Sequence, residues 1–205
     1  MRILVACEYS GRVRDAFIKR GHDAMSCDLL PTESPGPHYQ GDVRDILGER
    51  WDIIIAHPPC TYLSNAGAKH LFRGHELNEA RYQEGLKAKA FFMLFIESDC
   101  ASVCIENPIP SKIYELPPYT QIVQPYYFGE PAQKKTCLWL KGLPALKPSC
   151  IVEPLSNCHD AGTWFMKGGK DRQKNRARTF QGIADAMAEQ WGCYPRREAQ
   201  EVKNL

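Results

Sequence analysis

The 205-residue sequence is marked first by what it does not contain. No hydrophobic run is long enough to cross a bilayer, so no membrane association is expected. No G-x-G-x-x-G occurs, which makes the phosphate-cradling turn of NAD and FAD enzymes a poor fit. No Cys-x-x-Cys pair occurs either. Cys100 and Cys104 are separated by three residues, and Cys150, Cys158 and His159 lie close together, but nothing makes paired zinc knuckles, and no metal is expected. The net charge is only +2, so no global basic field announces a polyanion partner. There are no internal repeats and no low-complexity tracts. The nine cysteines are odd in number and irregular in spacing. The N-terminal run Ile3-Leu4-Val5-Ala6 is too short for a secretory leader and meets Glu8 at once. Free thiols in a reducing cytoplasm therefore fit better than a disulfide framework.

What is present is alternation. Strands are expected at Ile3 to Cys7, Ala24 to Leu29, the run ending at Pro58, Ser102 to Ile105, Gln121 to Tyr127 and Thr136 to Leu140. Helices are expected at Gly11 to Arg20, with Val13, Phe17 and Ile18 on one face, around Arg44 to Gly48, and at Glu76 to Asp99. In the last, Leu77, Ala80, Leu86, Ala90, Met93 and Leu94 have helical spacing. Such alternation argues a mostly parallel sheet with helices on both faces. From Pro144 to Phe180 the periodicity breaks, and Thr179 to Gly192 is helical again, with Ile183, Met187 and Trp191 four apart. The organisation read from this is a core at 1–143, an irregular segment at 144–178, a helix returning to the core at 179–193, and a charged tail at 194–205.

The chemistry concentrates in two stretches. In Asp52-Ile53-Ile54-Ile55-Ala56-His57-Pro58-Pro59-Cys60 a short β-branched strand runs into two prolines. Neither proline can donate to a sheet ladder, and each fixes its own φ, so the strand stops there. Cys60 is then held at the carboxyl end of the strand, where open α/β sheets bind ligands, and a thiol in that place is a candidate nucleophile. In Ala101-Ser102-Val103-Cys104-Ile105-Glu106-Asn107-Pro108 the design recurs, and Glu106 falls at the same sheet edge. A carboxyl group beside a thiol supplies a proton donor to a nucleophile. Alone, Glu106 and Asn107 read equally well as a helix cap or a turn.

Taken together, Pro58-Pro59-Cys60 and Glu106-Asn107-Pro108 resemble two motifs of the DNA cytosine-5 methyltransferase family, in a compact form. The resemblance extends more weakly from Arg2 to about Leu140 and from Thr179 to Trp191. It implies a Rossmann-like class I fold dependent on S-adenosyl-L-methionine, with Cys60 attacking C6 of cytosine and Glu106 contacting N3. Pro59 and Asn107 would line the base site, and Tyr62 would stack on the base or simply pack. For the cofactor, the resemblance points to Glu8, Ser10 and Gly11 in the first strand-to-helix turn, to Asp28 after the second strand, to Asp42 in Gly41-Asp42-Val43, and to Pro58. An acidic residue at Asp28 suits the ribose hydroxyls.

The departures are as informative. Phe128-Gly129-Glu130-Pro131 is followed by Gln133-Lys134-Lys135-Thr136-Cys137 where the family has Gln-x-Arg-x-Arg. Gln133 matches, Lys135 stands for the first arginine, and Cys137 for the second. Arg and Lys differ in bidentate contacts. Only about forty residues separate Cys137 from Thr179, short of an independent recognition domain. That interval holds a basic run from Lys167 to Arg178, with Lys170, Arg172, Arg176 and Arg178 as phosphate-contact candidates and Trp164 and Phe165 just before it. The expected substrate is cytosine in DNA, flipped from a duplex or single-stranded. The alternatives are an amino-methyltransferase, against which Cys60 argues, a free nucleotide substrate or another donor, and a degenerate module that only regulates a partner. The sequence specifies neither a target site nor an oligomeric state.

Overall fold

The computed structural model describes residues 1–155 and 178–193. Its central sheet grows from short, buried runs. Strands β1 (Arg2–Ala6), β2 (Asp23–Asp28), β3 (His38–Gln40), β4 (Ile53–Ala56) and β7 (Val103–Pro108) lie parallel. Two further strands, β8 (Gln121–Val123) and β9 (Thr136–Lys141), close one edge, with β9 antiparallel to both neighbours. The order across the sheet is β3-β2-β1-β4-β7-β9-β8. This is the Rossmann-like, mostly parallel sheet that the resemblance implies. A small hairpin, β5 (Phe72–Arg73) with β6 (Glu76–Leu77), stands apart.

Strand pleating sorts the core into two layers. Ile3 and Val5 face helices α1 (Arg12–Lys19) and α5 (Gln181–Gly192), and pack with Val13, Phe17, Ile183, Met187 and Trp191. Leu4, Ala6 and Ile54 face the other way, toward Phe92 and Phe95 of α4 (Glu79–Glu97) and toward Ile46 of α2 (Arg44–Leu47). Each fully buried Leu, Ile or Phe side chain contributes roughly 1.5–3 kcal/mol. Helices thus cover both faces, and the loops at the carboxyl ends of β1, β2, β4 and β7 are left to build a site. A short helix, α3 (Asn65–Ala68), follows the Pro-Pro-Cys turn.

Five expectations from sequence need correction. Ile18 is exposed, not on the inner face of α1; the inner row includes Arg14, which has no solvent exposure at all. In α4 the buried row is Gly85, Phe92 and Phe95, while Leu86 and Ala90 face outward. The later turns of that helix are apolar almost all round, so spacing alone does not choose a face there. The expected start of α4 at Glu76 belongs instead to β6. The strand from Gln121 stops at Val123, because Pro125 cannot continue the ladder and opens a 3-10 turn through Tyr127. Finally, β7 does not end at Ile105. It continues through Glu106, Asn107 and Pro108, paired against Leu138, Cys137 and Thr136 of β9, so Glu106 is held on a strand rather than in a turn.

Candidate active site

The strand order reverses between β1 and β4, and ligands of open α/β sheets bind at such a switch point. The two halves of the candidate site flank it.

On one side stands the Pro-Pro-Cys turn. Pro58 is buried and Pro59 exposed, and the half-buried Cys60 follows. No disulfide joins the described cysteines. The Cys60 carbonyl accepts from Ser64 N–H at 3.1 Å and so leads the chain toward α3. Arg81 from α4 steadies this loop: its guanidinium donates to the carbonyls of Thr61 (3.3 Å) and Gly67 (3.2 Å) and lies 4.9 Å from the centre of the Tyr62 ring. Tyr62 is therefore packed under a cation on one face. Asn107, fully buried, donates from Nδ2 to the carbonyl of Pro58 at 3.0 Å, which ties the two motifs into one site.

Glu106 sits deep in this edge. Its Oε2 accepts from His57 Nδ1 at 2.8 Å and from the Thr179 hydroxyl at 3.2 Å. Burial by itself pushes a carboxyl group up. The hydrogen bond and charge of His57, the charge of Lys134 and the Thr179 hydroxyl overcome this and bring Glu106 down to about 2. Glu106 is thus an ionised carboxylate at neutral pH. Because a carboxylate only accepts, Nδ1 of His57 carries the shared proton.

Lys135, the expected counterpart of the family's first arginine, is exposed; its neighbour Lys134 is the lysine whose charge acts on Glu106. Lys134 donates its backbone N–H to Gln124 Oε1 and lies 5.8 Å from the Phe180 ring. Cys137 is fully buried in β9 and belongs to the core, with its thiol pushed up to about 11 by burial. Gln133 is exposed and donates to the Leu155 carbonyl at 3.0 Å.

On the other side of the switch point is the turn after β1. Cys7 adopts φ 57, left-handed backbone that a non-glycine residue rarely takes and that is found where a site holds strain. Its thiol is raised by burial and by the charges of Asp28 and Asp42 with Cys27 beside them, which places both aspartates at this end of the sheet. Glu8 is buried. Its Oε1 accepts from the Ser10 hydroxyl at 2.6 Å and from Val13 N–H at 3.3 Å, while Oε2 is buried with no protein partner. Ser10 also accepts from Arg12 N–H. The N–H groups of Arg12 and Val13 at the start of α1 are therefore satisfied by Ser10 and Glu8. Gly11 has φ 76, and a Cβ there would strike the Arg14 guanidinium and Ser34. Its need is thus set by the helix entry and by Arg14.

Asp28 ends β2. Its Oδ1 accepts from Leu30 N–H, and burial raises its carboxyl from the ordinary value. Asp42 accepts from Arg44 N–H at 3.0 Å and pairs with the Arg44 side chain, so it also starts α2.

Residues that spacing did not single out complete the frame. His57 and Thr179 grip Glu106. Arg14 donates to Ser26, Thr32 and the Ser34 carbonyl, which fastens the loop after β2 onto α1. Histidine immediately before Pro-Pro was a visible signal; the other contacts join residues far apart in sequence. Of the basic run, Arg178 forms a two-armed ion pair with Glu33, both arms at 2.8 Å. Lys170, Arg172 and Arg176, with Trp164, Phe165, Cys158, His159 and the tail, lie outside the described residues. Among the described residues, no His/Cys/Asp/Glu cluster could hold a metal ion, and no helix is long and apolar enough to cross a membrane.

Among solved structures, the chain is similar to a candidate DNA modification methyltransferase encoded within an E. coli prophage. Identity is 15% and the TM-score 0.48, over 75% of this chain and 52% of that one. It is also similar to the methyltransferase EhMeth of Entamoeba histolytica, with 12% identity and a TM-score of 0.46, over 74% of this chain and 57% of that one. The chain thus spans little more than half the length of these neighbours. No protein-family model matches the chain, and no curated protein matches it.

Proposed function

We propose that the protein is a methyltransferase that transfers a methyl group from S-adenosyl-L-methionine to C5 of cytosine in DNA, through a covalent adduct with Cys60. The observation that carries this reading is the Asn107 to Pro58 hydrogen bond between adjacent parallel strands. It makes the cysteine turn and the Glu106 strand one edge, with the carboxylate anchored behind it.

The residues present fit the cofactor. Glu8 Oε2 is a buried acceptor without a protein partner, which suits a ligand rich in donors. Asp28 and Asp42, at the ends of β2 and β3, suit ribose hydroxyls and an adenine amino group. When bound, S-adenosyl-L-methionine supplies an electrophilic methyl group. The chain's own residues make C5 able to receive it. C5 of cytosine is a poor nucleophile until a thiolate adds to C6. Cys60 forms that S–C6 bond, the ring electrons shift toward N3, and N3, held at Glu106, takes the proton that the Glu106–His57 pair shares, leaving C5 enamine-like and able to take the methyl group. Loss of the C5 proton, return of the N3 proton to that pair and release of Cys60 restore the aromatic base and the thiolate. The target carbon is inaccessible in a stacked duplex, so the base is flipped or single-stranded. In this reading 1–143 is the catalytic core, 144–178 is a reduced recognition segment with Lys170, Arg172 and Arg176 on phosphates, 179–193 returns to the core, and the protein works in the reducing cytoplasm.

The test is mechanism-based trapping. DNA containing 5-fluorocytosine, with cofactor, should give a stable adduct, because fluorine cannot leave in the elimination step. Cys60→Ala should abolish it. An undiminished adduct in that variant moves the nucleophile elsewhere.

A further inference from the structure

The Glu106 carboxylate is ionised and already committed, so it arrives at the base without a proton to give. Its partner, His57, is a ring that carries a proton at the very atom facing the carboxylate. His57 is almost buried, with Nδ1 on Glu106 Oε2 at 2.8 Å, while Nε2 is buried with no protein partner. Its backbone N–H is spent on Ala6 O at 2.9 Å, which seats the residue at the switch point itself.

We infer that His57 is a positioning residue that stores the proton cytosine needs and passes it through Glu106. This rests on the proposed reading of the site. The resting pair is imidazolium and carboxylate. As the Cys60 thiolate forms the S–C6 bond, the C5=C6 pair moves toward C4, His57 Nδ1 yields its proton to the Glu106 carboxylate, and Glu106 passes a proton on to the C4=N3 pair. The site then holds neutral imidazole, carboxylate and a neutral adduct. Elimination reverses the transfer: the C5 proton leaves to solvent, Cys60 departs as thiolate, and the N3 proton returns to His57. The proton is lent and given back once per turnover.

The groups around the pair are few. Lys134, before β9, and the Thr179 hydroxyl, before α5, act on Glu106, and Cys104 of β7 feels its charge. Asp28 at the end of β2 feels the charge of His57, and Cys7 at the end of β1 lies among Asp28 and Asp42.

His57→Gln separates storage from orientation, because the glutamine amide can still donate to Glu106. The wild-type rate of adduct formation with 5-fluorocytosine DNA should fall on an alkaline limb, where His57 has lost the proton it stores. In His57→Gln the rate should drop by about 100-fold at neutral pH and that alkaline limb should vanish, with cofactor affinity unchanged. An unaltered rate and profile overturns the inference. So does a rate lowered evenly with the limb kept, which would mark a purely structural role. Should the variant not fold, NMR of the wild-type imidazole decides. Imidazolium before trapping and neutral imidazole in the adduct support storage; an unchanged protonation state overturns it. If the wild-type protein forms no adduct at all, the methyl-transfer reading falls first and this inference falls with it.

Discussion

The two sides of the switch point are built differently. Around Asp28 and Asp42 the carboxylates bond to backbone N–H groups two residues away. Around Glu106 the partners come from 49 and 73 residues away. The Asp28 and Asp42 side is local turn chemistry. The Glu106 side is a convergence of separate segments, and it holds its carboxylate far below the ordinary range, while Asp28 is pushed the other way by burial.

The largest effect expected from breaking this contrast is at Glu106. Glu106→Gln should reduce methyl transfer by roughly 10²–10⁴-fold, read as kcat on cytosine-containing DNA. The same variant probes stability. Since the folded carboxyl titrates at about 2 against an ordinary 4.5, the unfolded chain binds more protons in between, and stability rises with pH there. Above about pH 4.5 the group contributes roughly 3 kcal/mol, and that is lost as pH falls through 2. Acid denaturation monitored by circular dichroism should lose this slope in Glu106→Gln.

Asp28 should behave in the opposite sense. Asp28→Ala should weaken S-adenosyl-L-methionine binding by about 1.5–3 kcal/mol per charge-assisted hydrogen bond lost, measured by calorimetry. Because its folded carboxyl is raised, the folded state binds more protons, and stability falls as pH climbs above the ordinary aspartate range. Asp28→Asn should therefore raise the melting temperature of the cofactor-free protein at neutral pH while lowering affinity. A variant that loses neither affinity nor this penalty would erase the contrast between the two sides.

The contrast also explains what sequence could and could not show. The run Ile53 to Ala56 is short, β-branched and stopped by Pro58, so its strand and the place of Cys60 were readable. Asp28 and Asp42 lie in short turns whose chemistry is local. His57 and Thr179 gripping Glu106, and Arg14 pinning the loop after β2, were not readable, because each depends on which segments the fold brings together. Lys134 rather than Lys135 acts on Glu106 because side chains alternate along the approach to β9 and a one-residue offset changes the face. The buried row of α4 was misplaced for a related reason: the later turns of that helix are almost uniformly apolar and carry no periodic mark.

A smaller effect is expected at the joint. Asn107→Ala removes the donor to the Pro58 carbonyl and should cost about 1–3 kcal/mol, seen as a lower denaturant midpoint, with adduct yield falling as the Cys60 turn loosens. The smallest is at Arg178, whose two arms hold Glu33. Arg178→Ala should cost at most about 1 kcal/mol of stability. If the residue also meets a phosphate, the salt slope of DNA binding should fall by about one.

The central claim is the atom that is methylated. Incubation of DNA with the protein and isotopically labelled S-adenosyl-L-methionine, followed by enzymatic digestion and mass analysis of the nucleosides, reads that atom directly. Label in 5-methyldeoxycytidine, absent with Cys60→Ala, is the result this account predicts. Label on an exocyclic amino group, or none in nucleic acid of any form, would contradict it.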